Sequence, residues 1–296
     1  MDRAPSHQAP CPDLVADTLA WIERQLDERL TLARIAERAG LSPYHFSRLF
    51  TARMGLSPMA HVRGRRLVRA ARRLVAEPDA RLVDLAFEAG FESQEAFTRA
   101  FGRRFGVTPG RFRRGLAPLP PDGDLVMPTP AETSRAVARL PGFVTRDAFT
   151  VAGPTRRFDR TSSSIIPDLW STMIQALPFV GGQIPSWATY GVVWSIDKDE
   201  GSFDYMAGVA VRPEGGLPAG FVRKTIPAAT YAVFRITLDG TALHPQVKGA
   251  MATIWGELVP ASGLTVADTP DFELYDGRFA PDRPGTVIDM HVPVVV

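Results

Sequence analysis

The sequence predicts a two-part protein, an all-α front joined to an α+β rear. Three observations carry that prediction. A block recurs within the first 115 residues, the charge changes sign between the two parts, and the hydrophobic spacing switches from helical to strand-like behind a proline-rich stretch. With 296 residues there is room for two ordinary domains, each large enough to bury a core.

The recurring block is specific. Its first copy runs from Leu32 through Ile35-Ala36, Gly40 and Ser42 to Phe46-Ser-Arg48-Leu-Phe50 and Gly55. Its second runs from Leu82 through Leu85-Ala86, Gly90 and Ser93 to Phe97-Thr-Arg99-Ala-Phe101 and Gly106. Each has an alanine four residues before a glycine, then a serine opening an amphipathic segment, and each closes with Gly-x-(Ser or Thr)-Pro, ending at Pro58 and Pro109. This pattern is a duplicated helix-turn-helix, so one chain is expected to read two adjacent stretches of DNA.

The elements follow in order. Residues 1–12, with three prolines and no periodicity, are expected to be a disordered tail. Asp13 offers an N-cap to a helix carrying Val15, Leu19, Ile22 and Leu26. Thr31 caps the next helix, which Gly40 ends, and Ser42-Pro43 starts the third with serine at the cap and proline in the first turn. Ser57-Pro58 repeats that signal and opens a long helix through about Val75, stopped by Pro78. Asp79 starts the second copy, Ser93 caps its second helix, and Thr108-Pro109 begins a short closing helix. The front domain is therefore placed at 13–115. From Leu116 to Pro130 five prolines and a Pro-Asp-Gly turn break all periodicity, which places a linker at 116–139.

The rear domain, 140–296, is expected to hold strands at Phe149–Arg157, Ala188–Ser195, Phe203–Val211, Thr230–Thr237, Phe272–Tyr275 and Val287–Val295. Helices are expected near Ile165–Leu177 and His244–Val259. The order strand, helix, strand, strand occurs twice, so the fold class is a double helix-turn-helix domain followed by two pseudo-twofold β-α-β-β units around a pocket.

Charge sharpens the division of labour. Residues 1–115 hold 20 basic against 13 acidic residues, every basic one an arginine, whereas residues 116–296 hold 14 against 19. A basic front and an acidic rear point to a polyanionic partner for the front alone. The lone Cys11 excludes a disulfide framework, and no apolar run approaches a membrane span. A cytoplasmic protein with no membrane contact is expected. No Ser-His-Asp pattern, metal-spaced His/Cys cluster or phosphate-binding glycine loop occurs, so no catalytic residues, metal or cofactor are expected and the protein is not expected to be an enzyme.

On the helix after Ser42, Phe46, Leu49, Phe50 and Met54 form the core stripe, and after Ser93, Phe97, Phe101 and Phe105 do. The opposite faces carry Tyr44, Ser47, Arg48 and Thr51 in the first copy, and Gln94, Glu95, Thr98 and Arg99 in the second. These eight are the candidate base contacts. Arg48 and Arg99 can bond the O6 and N7 edge of guanine, Gln94 can pair with adenine, and Glu95 can accept from a cytosine amine. Arg53, Arg103, Arg104, Arg111 and Arg114, with Arg113, are candidate phosphate contacts that set register. Arg63, Arg65, Arg66, Arg69, Arg72 and Arg73 crowd the long helix, some expected beside DNA and others covering apolar surface. That helix is expected to hold the two reading helices about one DNA turn, ~34 Å, apart.

Residues 13–114 resemble the DNA-binding domain of the AraC/XylS family, on Ala36-x-x-x-Gly40, Ser42 to Phe50, Gly90-Phe-Glu-Ser93-Gln, Phe97 to Phe101 and Gly106-Val-Thr-Pro109. The resemblance implies base contacts from the first exposed residues of both recognition helices. Ser47 and Thr51 are small where members often carry longer side chains, so a weaker first readout is implied.

The rear layout and the segments Tyr231-Ala-Val-Phe234, Ile254-Trp255 and Phe272-Glu273-Leu-Tyr275 resemble the GyrI-like effector-binding domain. Together the two halves match Rob-like regulators, in which the reader comes first and the sensor second. The match makes Glu273 the pocket carboxylate. Trp170, Trp187, Tyr190, Trp194, Tyr205, Trp255 and Tyr275 supply aromatic faces, of which Trp170, Tyr190, Tyr205 and Tyr275 are the candidate pocket walls. Trp194 and Trp255 fit ordinary core better than a pocket wall, and a pair with an arginine is the alternative for Glu273. A carboxylate among aromatics suits an amphipathic organic cation. The expected partners are double-stranded DNA and a small organic ligand, with RNA polymerase a further candidate, and tandem heads favour a monomer over a dimer. Two alternatives remain at this point: a small-molecule hydrolase or ligand sequesterer fused to a DNA-binding domain, in which Glu273 and Tyr205 handle water, and an unliganded activator whose rear domain contacts another protein.

Overall fold

The computed structural model describes residues 14–116, 118, 136–138, 141–158, 165–178, 182–184, 186, 188–195 and 202–295. The expected tail, Cys11, the Asp13 cap, nearly all of the expected linker and Trp187 lie outside the described residues.

Among the described residues seven helices build the front: α1 Leu14–Arg24, α2 Leu32–Arg38, α3 Pro43–Met54, α4 Pro58–Ala76, α5 Leu82–Glu88, α6 Gln94–Phe105 and α7 Pro109–Arg113. Local chemistry sets their ends. The hydroxyls of Thr31, Ser57 and Ser93 accept the backbone N–H three residues on, at 3.2, 3.3 and 3.1 Å. Gly55 and Gly106 close α3 and α6 at φ of 64° and 73°, a region that costs an L side chain energy. The second copy departs from expectation at its start. Asp79 stands outside α5, whose N-cap is Arg81, and no side chain caps it.

Each copy has its own core. The Phe46–Leu49–Phe50–Met54 stripe packs with Val15, Ile22, Leu32 and Ile35, and the Phe97–Phe101 stripe packs with Leu85, Ala86 and Phe112. Truncating any one of these phenylalanines to alanine would cost about 3–5 kcal/mol. The long helix α4 belongs to both: Met59 and Val62 enter the first core, while Leu67, Ala70, Ala71 and Leu74 enter the second. At 1.5 Å per residue its 19 residues span about 28 Å. Its arginines are largely tied inward. Arg65 donates to Glu23 at 2.9 Å and Arg69 pairs with Asp27 at 3.0 Å. Arg73 binds both Glu77 and Glu88, and Arg66 donates to the carbonyls of Leu26 and Glu28.

Among the described residues the rear is a single sheet of nine strands with helices on one face. Its elements are β1 Gly142–Arg146, β2 Phe149–Phe158, α8 Ile166–Gln175, β3 Thr189–Trp194, β4 Phe203–Val211, β5 Phe221–Ile226, β6 Ala229–Thr237, α9 Leu243–Thr253, a π-turn Ile254–Leu258, α10 Val259–Ser262, β7 Thr265–Val266, β8 Asp271–Tyr275 and β9 Val287–Val295. The strand order is β1-β6-β9-β8-β3-β4-β2-β5, with β7 on β9. All six expected strands are present. The order has the expected twofold character, because β6-β9-β8 and β3-β4-β2 meet at β8 and β3. Strands β1, β5 and β7 are additions, short and at the margins, where half-exposed residues leave no clean alternation. The helix expected over 244–259 carries the π-turn, a rare element often found at functional sites.

The sheet curls sharply. In a flat sheet the three strand steps from β2 to β8 would separate side chains by about 14 Å, yet the Phe149 and Phe272 rings lie 5.6 Å apart. The concave face so closed holds Val151, Tyr190, Val192, Met206, Tyr231 and Phe272. The other face packs on α8 and α9.

Candidate functional site

The second reading helix presents its polar face to solvent. Gln94, Glu95 and Arg99 are exposed and Thr98 half-buried. The Glu95 carboxyl is held below its ordinary range by its own backbone N–H first and the Ser93 hydroxyl second, so it is ionised and ready to accept. Arg103, Arg104, Arg111 and Arg114 are exposed around it, and Arg104 lies over the Phe105 ring. Arg113 instead donates to the Ala80 carbonyl.

The first reading helix is placed differently. Ser47 is only 2 % exposed, Thr51 and Arg53 are half-buried, and of Tyr44 the backbone alone is described. Arg48 reaches into the rear domain. Its guanidinium lies 3.4 Å from the Asp271 carboxylate and 4.8 Å from the centre of the Trp255 ring. His45, one turn earlier, stacks on the same indole with ring centres 5.9 Å apart. Ala52, one turn later, packs against the rear core, and a methyl added to Gly256 would meet the Ala52 Cβ at 3.6 Å. The π-turn thus meets α3 with one large ring and one missing side chain. Asp271 and His45 were not singled out from the sequence. Both were nonetheless visible there, Asp271 two residues before Glu273 on a strand, and His45 where the second copy has Ala96.

The buried carboxylate sits at the seam of the sheet. Glu273 on β8 faces Gly191 on β3, and it is 8 % exposed. The hydroxyls of Tyr205 and Tyr275 both donate to its Oε2, each at 2.9 Å. The Trp170 indole N–H donates to the Tyr205 oxygen at 3.0 Å, and its ring meets Tyr275 edge-on at 4.8 Å. Burial pushes the Glu273 carboxyl above its usual range. The two tyrosine hydroxyls and the Arg48 charge pull it back in part, and Asp271 adds to the rise. Both tyrosines are pushed well above theirs, by burial first and Glu273 second, so they remain hydrogen-bond donors. An open cleft of about 540 Å³ lined by Thr189, Tyr275, Asp276, Gly277 and Phe279 adjoins this cluster through Tyr275. Another cavity, about 70 Å³ between the two front copies beside Arg66, Arg69 and Arg73, is of a size for water rather than an organic ligand.

Trp170, Tyr205 and Tyr275 therefore lie together with Glu273, but Tyr190 does not. Strand alternation turns Tyr190 away from Gly191, into the concave face with Phe149 and Phe272. Trp194 also lies on that side, under Lys224. The alternative of a direct Glu273–arginine pair is not what is found among the described residues, where the nearby arginine engages Asp271.

A helix-turn-helix domain family matches residues 35–115, and the family of integron-associated effector binding proteins matches residues 143–294, just over half of the chain. The chain belongs to the AraC-type regulators with a GyrI-like effector-binding domain. It is thus a DNA-binding transcriptional regulator. The right origin-binding protein of Escherichia coli K12 is 28 % identical over 294 residues, covering 92 % of this chain and 94 % of that one. The transcriptional regulator BrlR of Pseudomonas aeruginosa is 34 % identical over 152 residues, covering 51 % and 54 %. The solved structure of SAV2435 bound to tetraphenylphosphonium is 18 % identical, covers 52 % of this chain and 93 % of that one, and superposes with a TM-score of 0.39. Among the described residues no helix of this regulator is long and apolar enough to cross a membrane.

Proposed function

We propose that this regulator senses an amphipathic organic cation at Glu273 and reads DNA bases through α6, whose polar face is exposed, and through α3 once that helix is free to enter a groove. The observation that carries the sensing half is the Glu273 carboxylate, buried yet held by only two tyrosine hydroxyls within an aromatic wall of Trp170, Tyr205 and Tyr275. A buried carboxylate costs several kcal/mol unless a positive charge balances it. An organic cation supplies that charge, and the ring faces add attraction of about 1–2 kcal/mol each. Both tyrosines donate to Oε2, so neither takes Oε1. The adjoining cleft at Tyr275 and Phe279 offers the approach.

For DNA, Gln94, Glu95 and Arg99 are the leading base contacts, with Thr98 beside them. Tyr44, Ser47, Arg48 and Thr51 serve the first copy when α3 is in a groove. Arg53, Arg103, Arg104, Arg111 and Arg114 bind phosphates and set the register.

Calorimetric titration of the full-length protein with tetraphenylphosphonium, as a probe aromatic cation, tests the sensing half. Binding should be saturable, and Glu273→Gln should weaken it at least tenfold, about 1.4 kcal/mol. Equal affinity for both proteins would remove Glu273 from the site.

A further inference from the structure

We propose that the rear domain holds the first reading helix out of DNA, with Arg48 seated as a built-in cation between Asp271 and Trp255. The rear-domain contacts on α3 include His45, Arg48 and Ala52, at i, i+3 and i+7, with Arg53 beside Ala52 against Gly256. That stripe lies away from the Phe46–Phe50 core stripe and takes in Arg48, the central residue of the base-reading face, so docking and entry into a groove compete for the same side of α3. A major groove about 12 Å wide admits a helix of about 10–12 Å diameter and nothing beside it. Arg48 therefore meets either Asp271 or DNA, never both.

The duplication supplies an internal control. Counting from Ser42 and Ser93, Arg48 and Arg99 are in register, and Arg99 is exposed. Both residues that flank Arg48 in the docked stripe differ between the copies. His45 replaces the equivalent Ala96, giving a ring to stack on Trp255, and Ala52 replaces Arg103, removing the long charged chain that would collide with the π-turn. The first copy carries the residues that docking needs, and the second carries ordinary DNA-facing ones. On the rear side Asp271 is 0 % exposed, so its charge needs the Arg48 guanidinium, itself 16 % exposed.

The site also connects to the buried carboxylate, and here the inference rests on the cation-sensing reading above. Asp271 and Glu273 lie on one face of β8, and the Arg48 charge is felt at Glu273. A cation arriving at Glu273 repels Arg48 and favours release of α3, so ligand raises affinity for DNA.

The test uses the full-length chain, a duplex selected in vitro by that chain, and two rear-domain variants, Asp271→Asn and Gly256→Leu. Neither alters a residue of α3, so a gain in affinity cannot come from new DNA contacts. If Asp271→Asn fails to fold, Gly256→Leu, beside Ala52 and Arg53 on the π-turn, carries the test alone. Each variant should bind at least about tenfold tighter than the parent, the factor by which a minor open state lowers apparent affinity. Footprints should widen from one protected groove to two. Tetraphenylphosphonium should bring the parent to the affinity of the variants. Equal affinity and identical footprints for parent and variants would overturn the docking. Tighter variants with no response to the cation would uphold docking and remove the sensing role of Glu273. Loss of DNA binding in every form would sink DNA reading itself and the docking inference with it.

Discussion

Gly191 and Glu273 face each other in register across β3 and β8, and the missing side chain at 191 is what lets two tyrosine hydroxyls converge on one carboxylate oxygen. A methyl at 191 would lie 2.5 Å from Glu273 Oε2 and closer still to the Tyr205 oxygen. Gly191→Ala should therefore displace Tyr205 and cost about 1–3 kcal/mol of stability. It should also weaken tetraphenylphosphonium binding. Thermal unfolding and calorimetry of the same preparation check both, and an unchanged pair of values would show that the cluster tolerates the methyl.

Trp170→Phe keeps the ring against Tyr275 and removes the N–H that binds the Tyr205 oxygen. A loss of about 1 kcal/mol in denaturant unfolding is expected. A much larger loss would mean that the indole packs as core and the hydrogen bond is incidental.

On the second reading helix, Arg99→Ala should relax base preference at one position by about 1–3 kcal/mol, while Arg104→Ala should weaken binding to all sequences and lower the salt slope by about one. Competition with scrambled duplex over a range of salt separates the two. Equal losses on selected and scrambled DNA for Arg99→Ala would remove its base-reading role.

Three buried histidines make stability sensitive to acid. His45, His61 and His291 have pKa values lowered to about 3, 4 and 4. Burial is the main cause, and the charges of Arg48, Arg65 and Arg146 add to it. Each is neutral in the folded protein and titrates near 6.5 once unfolded. Their contribution is thus complete above pH 6.5 and shrinks as pH falls from 6.5 toward about 4. Roughly 2 kcal/mol per histidine at most should go between pH 7 and pH 5. Denaturant unfolding at the two pH values checks this, and His61→Phe should flatten the dependence by one histidine's share.

Arg66 donates to the carbonyls of Leu26 and Glu28, at 3.0 and 2.6 Å, and lies against Gly90, so it fastens the two copies together. Arg66→Met keeps the stem and should cost about 2 kcal/mol. The thermal midpoint of the helical transition reads that loss. No shift would show that the α4 core residues alone fix the spacing of the heads.

Much of this architecture was legible in residue patterns. Ser42-Pro43, Ser57-Pro58 and Ser93 announce helix starts, because a hydroxyl cap and a first-turn proline act within one turn of chain. The six central strands were legible as short β-favouring runs between turn residues, and four of them are buried almost continuously, as strands covered on both faces are. Strands β1, β5 and β7 were not, since marginal strands need only one good face or none. Glu273 was marked by the resemblance to the GyrI-like domain, whereas its supporting Gly191 was not, because the need for an absent side chain arises from strand pairing rather than from sequence neighbours. Tyr190 was misplaced for a similar reason: aromatic content says nothing of which side of a sheet a ring occupies. The contact of Arg48 with Asp271 spans more than two hundred residues, and a pairing that distant leaves no local mark in the sequence.

The unequal exposure of α3 and α6 gives the molecule a direction on its target. With α3 docked as proposed, collisions with a duplex should be productive through α6 alone, so the half-site beneath α6 should govern how fast complexes form. The half-site beneath α3 governs how long they last. Changing bases in one half of an operator should alter the association rate, and changing the other half the dissociation rate, a kinetic asymmetry that two equivalent heads would not produce.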